Sequence, residues 1–229
     1  MNLLLQETPK IVVTSEDWES KLSDVEILIE DMNRLVMNLL VAEGYREAAE
    51  KFKEESITMP EEDLASMNER LEVIKAIESR NLEDAIEKLN ALNPEIIKTS
   101  FHLHQQMLIE LIREKKTEEA VAFAQEKLAP LAEENEALQR ELEKTVCILV
   151  TEGLPNCPSR ELFHNSQWIR TASHVNEAIH TSQTGEKGPE LERLLKELIW
   201  TQNQLDEKTV YVYPRMNDFS TGQLIYRPE

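Results

Sequence analysis

Glycine is scarce in this chain, with five in 229 residues, where average usage of about 7% would give roughly 16. Strand-rich folds need glycine in their turns, so the shortage favours helices joined by short loops. The 5% aromatic content agrees. Two cysteines, Cys147 and Cys157, are too few for a disulfide framework or for a zinc site of their own, and reduced thiols suit an intracellular protein. Positive charge is short as well: 25 Lys+Arg stand against 44 Asp+Glu, a net charge of −19. Such a surface repels a phosphate backbone or an anionic bilayer, which argues against nucleic acid and membrane as direct partners. No stretch approaches the roughly 18 apolar residues that span a bilayer. Met1 to Glu7 has no basic flank and too short an apolar run for a signal peptide. The expected location is cytoplasmic and nuclear.

Catalytic patterns are missing too. There is no Gly-rich phosphate loop, nucleophile elbow, H-E-x-x-H or EF-hand loop. His102 and His104 are close in sequence, but at i, i+2 on a helix they diverge by about 200° and cannot share a metal. His164, His174 and His180 are scattered. The acidic pairs, such as Glu54-Glu55 and Glu133-Glu134, read as solvated faces, because acid/base work needs environments that separate two pKa values. Cys147 sits in an apolar run and reads as a small buried hydrophobe. The chain is read as a non-enzyme with no cofactor.

Helical patterning is plentiful. Thr14-Ser15-Glu16-Asp17 reads as a capped helix start after a loose leader of residues 1–13. From Met32 the apolar positions run Met32, Leu35, Val36, Leu39 and Leu40, a one-sided stripe that Met37 and Val41 widen. A helix apolar nearly all round must be covered on two sides. Gly44 suits its C-cap, and Tyr45, Ala48, Ala49 and Phe52 supply the face of a following helix. A hairpin of about 25 residues cannot own a core, so it is expected to dimerise or to dock on something else. Ser56 to Asp63 reads as a polar linker.

Further on, Ile74-x2-Ile77 with Glu83-Asp84-Ala85-Ile86 recurs 35 residues later as Ile109-x2-Ile112 with Glu118-Glu119-Ala120-Val121. That is the pattern of stacked helical hairpins, two copies of it. Leu131, Leu138, Leu142 and Leu149 are heptad-like over too short a length for a lone coiled coil, which places them in a bundle. Gly153 to Pro158 is a break, Trp168 to Ile179 a helix, and Leu191, Leu194, Leu195, Leu198 and Ile199 a strong amphipathic helix. Val210 to Pro214 is extended, either irregular or a single added strand.

The segment from Met32 to Ser56, with its Gly44-Tyr45 turn and the Ala49-x-x-Phe52 pattern, resembles a LisH motif. The block Phe101-x-Leu103-x-x-Gln106, with Leu108 to Arg113 and Ala122 to Gln125, resembles the CTLH and CRA regions. Leu198 to Asp206 and Tyr213 to Asp218 complete a similarity, over about residues 15–222, to the glucose-induced degradation protein 8 homologs. The resemblance implies an all-α fold with a LisH hairpin, a CTLH–CRA α-hairpin bundle, and a last CRA helix folding back on LisH. Its implied divisions are residues 1–24 as leader and short helix, 25–57 as LisH, 63–120 as CTLH, 121–212 as CRA and 213–229 as tail.

In function it implies a non-catalytic scaffold subunit of a GID/CTLH E3 ubiquitin ligase. That subunit would join RING-containing subunits to a SPRY-containing LisH–CTLH–CRA subunit and an armadillo-repeat subunit, with self-association possible in principle. A RING fold needs about eight Cys/His ligands, more than this chain's two cysteines could anchor. Two interfaces are implied. One places Leu194, Leu195 and Leu198 beside Leu35, Val36, Leu39, Tyr45, Ala49 and Phe52. The other uses Leu108, Leu111, Ile112 and Phe123. The alternative is a LisH-dimerised helical adaptor unrelated to ubiquitination.

Overall fold

The computed structural model describes residues 10–61, 64, 66–151, 160–211, 215–218, 221 and 223–225. Cys157, the Tyr213-Pro214 pair and the whole break at Gly153 to Pro158 lie outside them. The described chain is predominantly helical, with four short strands, and divides into two compact units. One comprises Met37–Pro189, and the other joins Met1–Val36 to Glu190–Glu229.

The larger unit begins with the end of α2 (Ile29–Ala42) and continues through α3 (Arg46–Ser56), α4 (Ser66–Glu78), α5 (Leu82–Leu92) and α6 (Pro94–Thr99). There follow α7 (Phe101–Arg113), α8 (Thr117–Phe123), a π-helical turn at Ala124–Leu128, α9 (Ala129–Ala132), α10 (Glu136–Thr151), a 3₁₀ turn at Arg160–Phe163 and α11 (Asn165–Thr184). The helix starts are capped where the sequence offers short polar side chains. Asn81, Asn93 and Ser100 each accept a backbone N–H at the start of α5, α6 and α7.

Three apolar clusters fill this unit. Val73, Ile77 and Leu89 meet Trp168, Val175 and Ile179 in the first. Leu108, Ile109 and Ile112 meet Leu128 and Ile148 in the second. A small third cluster holds Met37, Val41, Ala49 and Met67. Helix α7 supplies both larger clusters, through Leu103 to the first and Phe101, Leu108, Ile109 and Ile112 to the second. Its buried amides are satisfied across the helices: Gln105 Nε2 donates to Thr145 Oγ1 at 2.9 Å, and Thr171 Oγ1 donates to Gln106 Oε1 at 3.4 Å. Leu131, Leu138, Leu142 and Leu149 are half-buried against the second cluster, as bundle packing requires. Cys147 is half-buried, less than its apolar surroundings suggest, while its neighbour Ile148 is buried.

The repeat has three copies. Arg80 and Lys115, 35 residues apart, both adopt positive φ, 64° and 61°, and Gly44 does the same at 83°. In each copy the residue after this position reaches back five residues, Tyr45 to Leu40, Asn81 to Ala76 and Lys116 to Leu111. Each positive-φ residue also reaches back three, to Val41, Ile77 and Ile112. These paired bonds are the Schellman closure of a helix end. An alanine five residues beyond each turn, Ala49, Ala85 or Ala120, is buried and lets the second helix approach the first. Sequence comparison finds two copies because the third shares the geometry and the alanine but not the Glu-acidic-Ala-aliphatic string.

The smaller unit is built from both ends of its own segments. Strand β1 (Ile11–Val13) precedes α1 (Ser15–Ser23), and α12 (Glu190–Lys208) runs into β2 (Thr209–Tyr211). The strands pair in parallel, Ile11 with Thr209, Val12 with Val210 and Val13 with Tyr211. Residues 11–13 are therefore ordered strand and not loose leader, because the extended Val210-Tyr211 segment supplies their backbone partner. Thr14 and Asp17 form the expected capping box of α1. The Val210-Tyr211 segment thus supplies an added strand, and beyond Pro214 an antiparallel hairpin of β3 (Arg215–Asp218) and β4 (Gln223–Ile225) follows. Gln202 fixes it to α12 by accepting the Met216 N–H at 2.8 Å and donating to the Met216 carbonyl at 3.2 Å. Arg215 adds bonds to Asp206 and Asn203. The last long helix thus returns to the unit that contains the first residues of LisH.

Candidate interaction surface

Every buried apolar side chain among the described residues falls between Met37 and Pro189. Among its described residues the smaller unit has none, and the buried side chains there are Gln202 and Thr209. Helix α12 is the clearest case. Its amphipathic stripe should face a core, yet Leu194, Leu198, Ile199 and Trp200 are exposed, Trp200 at 65%. Leu195 is half-buried. At the other end of the unit, Ile27, Leu28, Ile29, Met32 and Val36 are exposed. Ile29, Met32 and Val36 follow helical spacing, so they line one side of α2 while Met37 and Val41, rotated from it, enter the third cluster. The width of the apolar stripe on α2 thus has two physical causes: one side is core and one side is uncovered. Uncovered apolar side chains grouped along a helix face in this way mark an interaction site.

The thirteen residues expected at partner faces divide by burial. Val36, Tyr45, Leu194 and Leu198 are exposed. Leu35, Leu39, Phe52, Leu111, Phe123 and Leu195 are half-buried. Ala49, Leu108 and Ile112, expected at partner faces, are instead interior at 0%, 0% and 1% exposure. Ala49 is the close-approach residue of a hairpin, and Leu108 and Ile112 are knobs of α7 inside the second cluster, so no partner can touch them in the folded chain. Leu35, Val36 and the three leucines of α12 belong to the same unit. Phe52 packs instead with Met37, Val41, Ala49 and Met67. Ile27, Leu28, Ile29 and Trp200 are exposed residues that the sequence reading does not single out. Ile29 extends the Met32–Val36 spacing by one step, which is the signal that finds it.

Chemistry elsewhere is sparse. Among the described residues no three His, Cys, Asp or Glu side chains are placed to hold a metal ion, and no helix is long and apolar enough to cross a membrane. The close histidine pair is His102 with His174, not His102 with His104: their rings stack 3.5 Å apart at 10°. Burial, then the charges of His174 and Arg170, push His102 down to about 4. Parallel rings direct their lone pairs alike and cannot converge on one ion. Glu141 lies 3.6 Å from His102 Nε2 at the edge of a polar crevice of about 110 Å³.

Comparison with known proteins agrees with this layout. The LisH family matches residues 30–56, and the family described as "CTLH/CRA C-terminal to LisH motif domain" matches residues 66–206. The chain is 58% identical to Protein GID8 homolog of Arabidopsis thaliana over 221 residues, 95% of this chain and 90% of that protein. It is 47% identical to the glucose-induced degradation protein 8 homolog of Dictyostelium discoideum, covering 93% and 95%. It is 33% identical to GID complex subunit 8 of Schizosaccharomyces pombe, covering 86% and 88%. With both domains in the same order and end-to-end similarity at these levels, the chain belongs to the family of glucose-induced degradation protein 8 homologs.

Proposed function

We propose that the chain is a non-catalytic scaffold subunit of a multisubunit GID/CTLH-type E3 ubiquitin ligase, connecting RING subunits to the substrate-receptor side for proteasomal degradation. The observation that carries the reading is the smaller unit, where a long amphipathic helix and one side of α2 present apolar side chains and none of the unit's described apolar residues is buried. A relative named as a GID complex subunit gives that surface its setting. Exposed aromatic and aliphatic anchors of this sort carry most of the energy of an interface.

The partners we assign are RING-containing subunits, a SPRY-containing LisH–CTLH–CRA subunit and an armadillo-repeat subunit, in cytoplasm and nucleus. Half-buried Leu111 and Phe123 are the remaining candidates for a second interface. The chain cannot supply the RING itself, since its two cysteines and five histidines fall short of a spaced set of about eight ligands.

The test is affinity purification of the tagged chain from its own cells, beside a Val36→Asp/Leu198→Asp variant, with mass spectrometry of the bound proteins. These positions are exposed, so the variant is expected to stay folded, whereas changing Phe52 would disturb the third cluster. RING and SPRY proteins are expected with the wild type, and one subset is expected to be lost from the variant. Recovery of the chain with itself alone would favour the LisH-dimerised adaptor outside ubiquitination.

A further inference from the structure

We infer that Arg70, together with Asn176, is a clasp that fixes the LisH hairpin to helices α4 and α11, so that the hairpin is held by its own chain and is not a detachable dimerisation module. Arg70 is fully buried. Its Nη2 donates to the Val41 carbonyl at 2.8 Å and its Nη1 to the Ala42 carbonyl at 3.3 Å. Those carbonyls belong to the last turn of α2, where carbonyls lack the i+4 partner of the helix interior and the dipole is negative; the Val41 carbonyl also accepts the Gly44 N–H. A guanidinium suits this place because its rigid fork reaches two acceptors at once. Asn176 on α11 donates from Nδ2 to the same Ala42 carbonyl at 2.8 Å. Arg46, the first residue of α3, donates to Asn68 of α4. Both helices of the hairpin are therefore tied to α4, and α2 to α11 as well.

The apolar attachment is thin by comparison. Among the described residues, the four buried in the third cluster are Met37, Val41 and Ala49 of the hairpin itself and Met67 from outside it, with Leu64 packed alongside. A hairpin with so little shared core opens locally unless polar contacts hold it. Gly44, two residues after the clasped Ala42 carbonyl, shows how closely the elements approach. A Cβ there would meet Leu71 Cδ2 at 3.3 Å and Asn176 Oδ1 at 3.7 Å.

The test is hydrogen exchange with mass spectrometry on the full chain alone, without partners, for wild type, Arg70→Met, Arg70→Lys and Asn176→Ala. We expect Arg70→Met to speed exchange over residues 37–56 at least tenfold while residues 101–112 keep wild-type protection. Arg70→Lys, which keeps the charge but loses the fork, should fall between, and Asn176→Ala should act in the same segment more weakly. Equal acceleration across residues 37–189, or no change at residues 37–56, overturns the clasp. Should Arg70→Met fail to fold, the pattern in Asn176→Ala and Arg70→Lys decides by the same criterion. Because no partner is present, the outcome is independent of the ligase reading.

Discussion

Single residues here carry stresses that the chain alone does not relieve. Ile57 follows α3 in the left-handed region, φ 58°, with its side chain 87% exposed. That conformation costs an L-residue about 1–2 kcal/mol, and a β-branched side chain is among the least suited to it. Glycine would remove the strain at a smaller unfolded-state entropy cost. Ile57→Gly is therefore expected to stabilise the isolated chain by about 1 kcal/mol, read as a raised urea midpoint at unchanged slope.

His102 makes a prediction of the opposite kind. Its pKa in the fold is lowered to about 4, from 6.5, so between those values the unfolded state binds more protons than the folded state. The stability contributed by neutral His102 is complete above about pH 6.5 and is lost as pH falls toward 4. With the ring partly exposed, the loss is on the order of 1–2 kcal/mol. Urea titrations at pH 7 and 5 should show a steeper decline for the wild type than for His102→Gln.

At the scale of elements, the hairpin turn is the recurring part. It was legible only where its residues are characteristic. Gly44 marked a helix end by its type alone, whereas Arg80 and Lys115 occupy the same left-handed position with residues that give no such signal. The difference is testable, since Arg80 already bears the backbone cost that Gly44 avoids. Gly44→Ala should destabilise by about 1–2 kcal/mol, with Leu71 crowding the new methyl, while Arg80→Ala should stay within about 0.5 kcal/mol. Thermal midpoints of the two variants, compared with wild type, check the contrast.

The same logic explains the partner residues. Leu108 and Ile112 lie in the block that carries the resemblance, on α7, which packs into both larger clusters. Periodicity identifies an apolar side of a helix but not what covers it, so core and interface residues look alike. The Gln202 and Arg215 contacts were legible only as two separate familiar blocks, Leu198 to Asp206 and Tyr213 to Asp218. In the fold these blocks bond to each other.

For the whole molecule, the division of buried apolar surface decides behaviour. The larger unit holds all three apolar clusters, while the described part of the smaller unit relies on a three-residue parallel strand pair, the Gln202 bonds and half-buried side chains. Its segments come from opposite ends of the sequence, so bringing them together costs loop entropy that little burial offsets. The net charge of −19 adds self-repulsion, and repulsion acts most on the part with least cohesion. Residues 11–36 and 190–211 of the isolated chain should therefore exchange their amide hydrogens well before residues 66–148, by on the order of a hundredfold or more. A partner that covers Val36, Leu194, Leu198 and Trp200 would supply the missing burial, and its binding energy would appear as local stability. In the purified assembly the same segments should gain protection while the core of α7 changes little. Protection of the smaller unit equal to that of α7 in the isolated chain would mean that its apolar side chains find cover within the chain, and the surface would lose its claim to a partner.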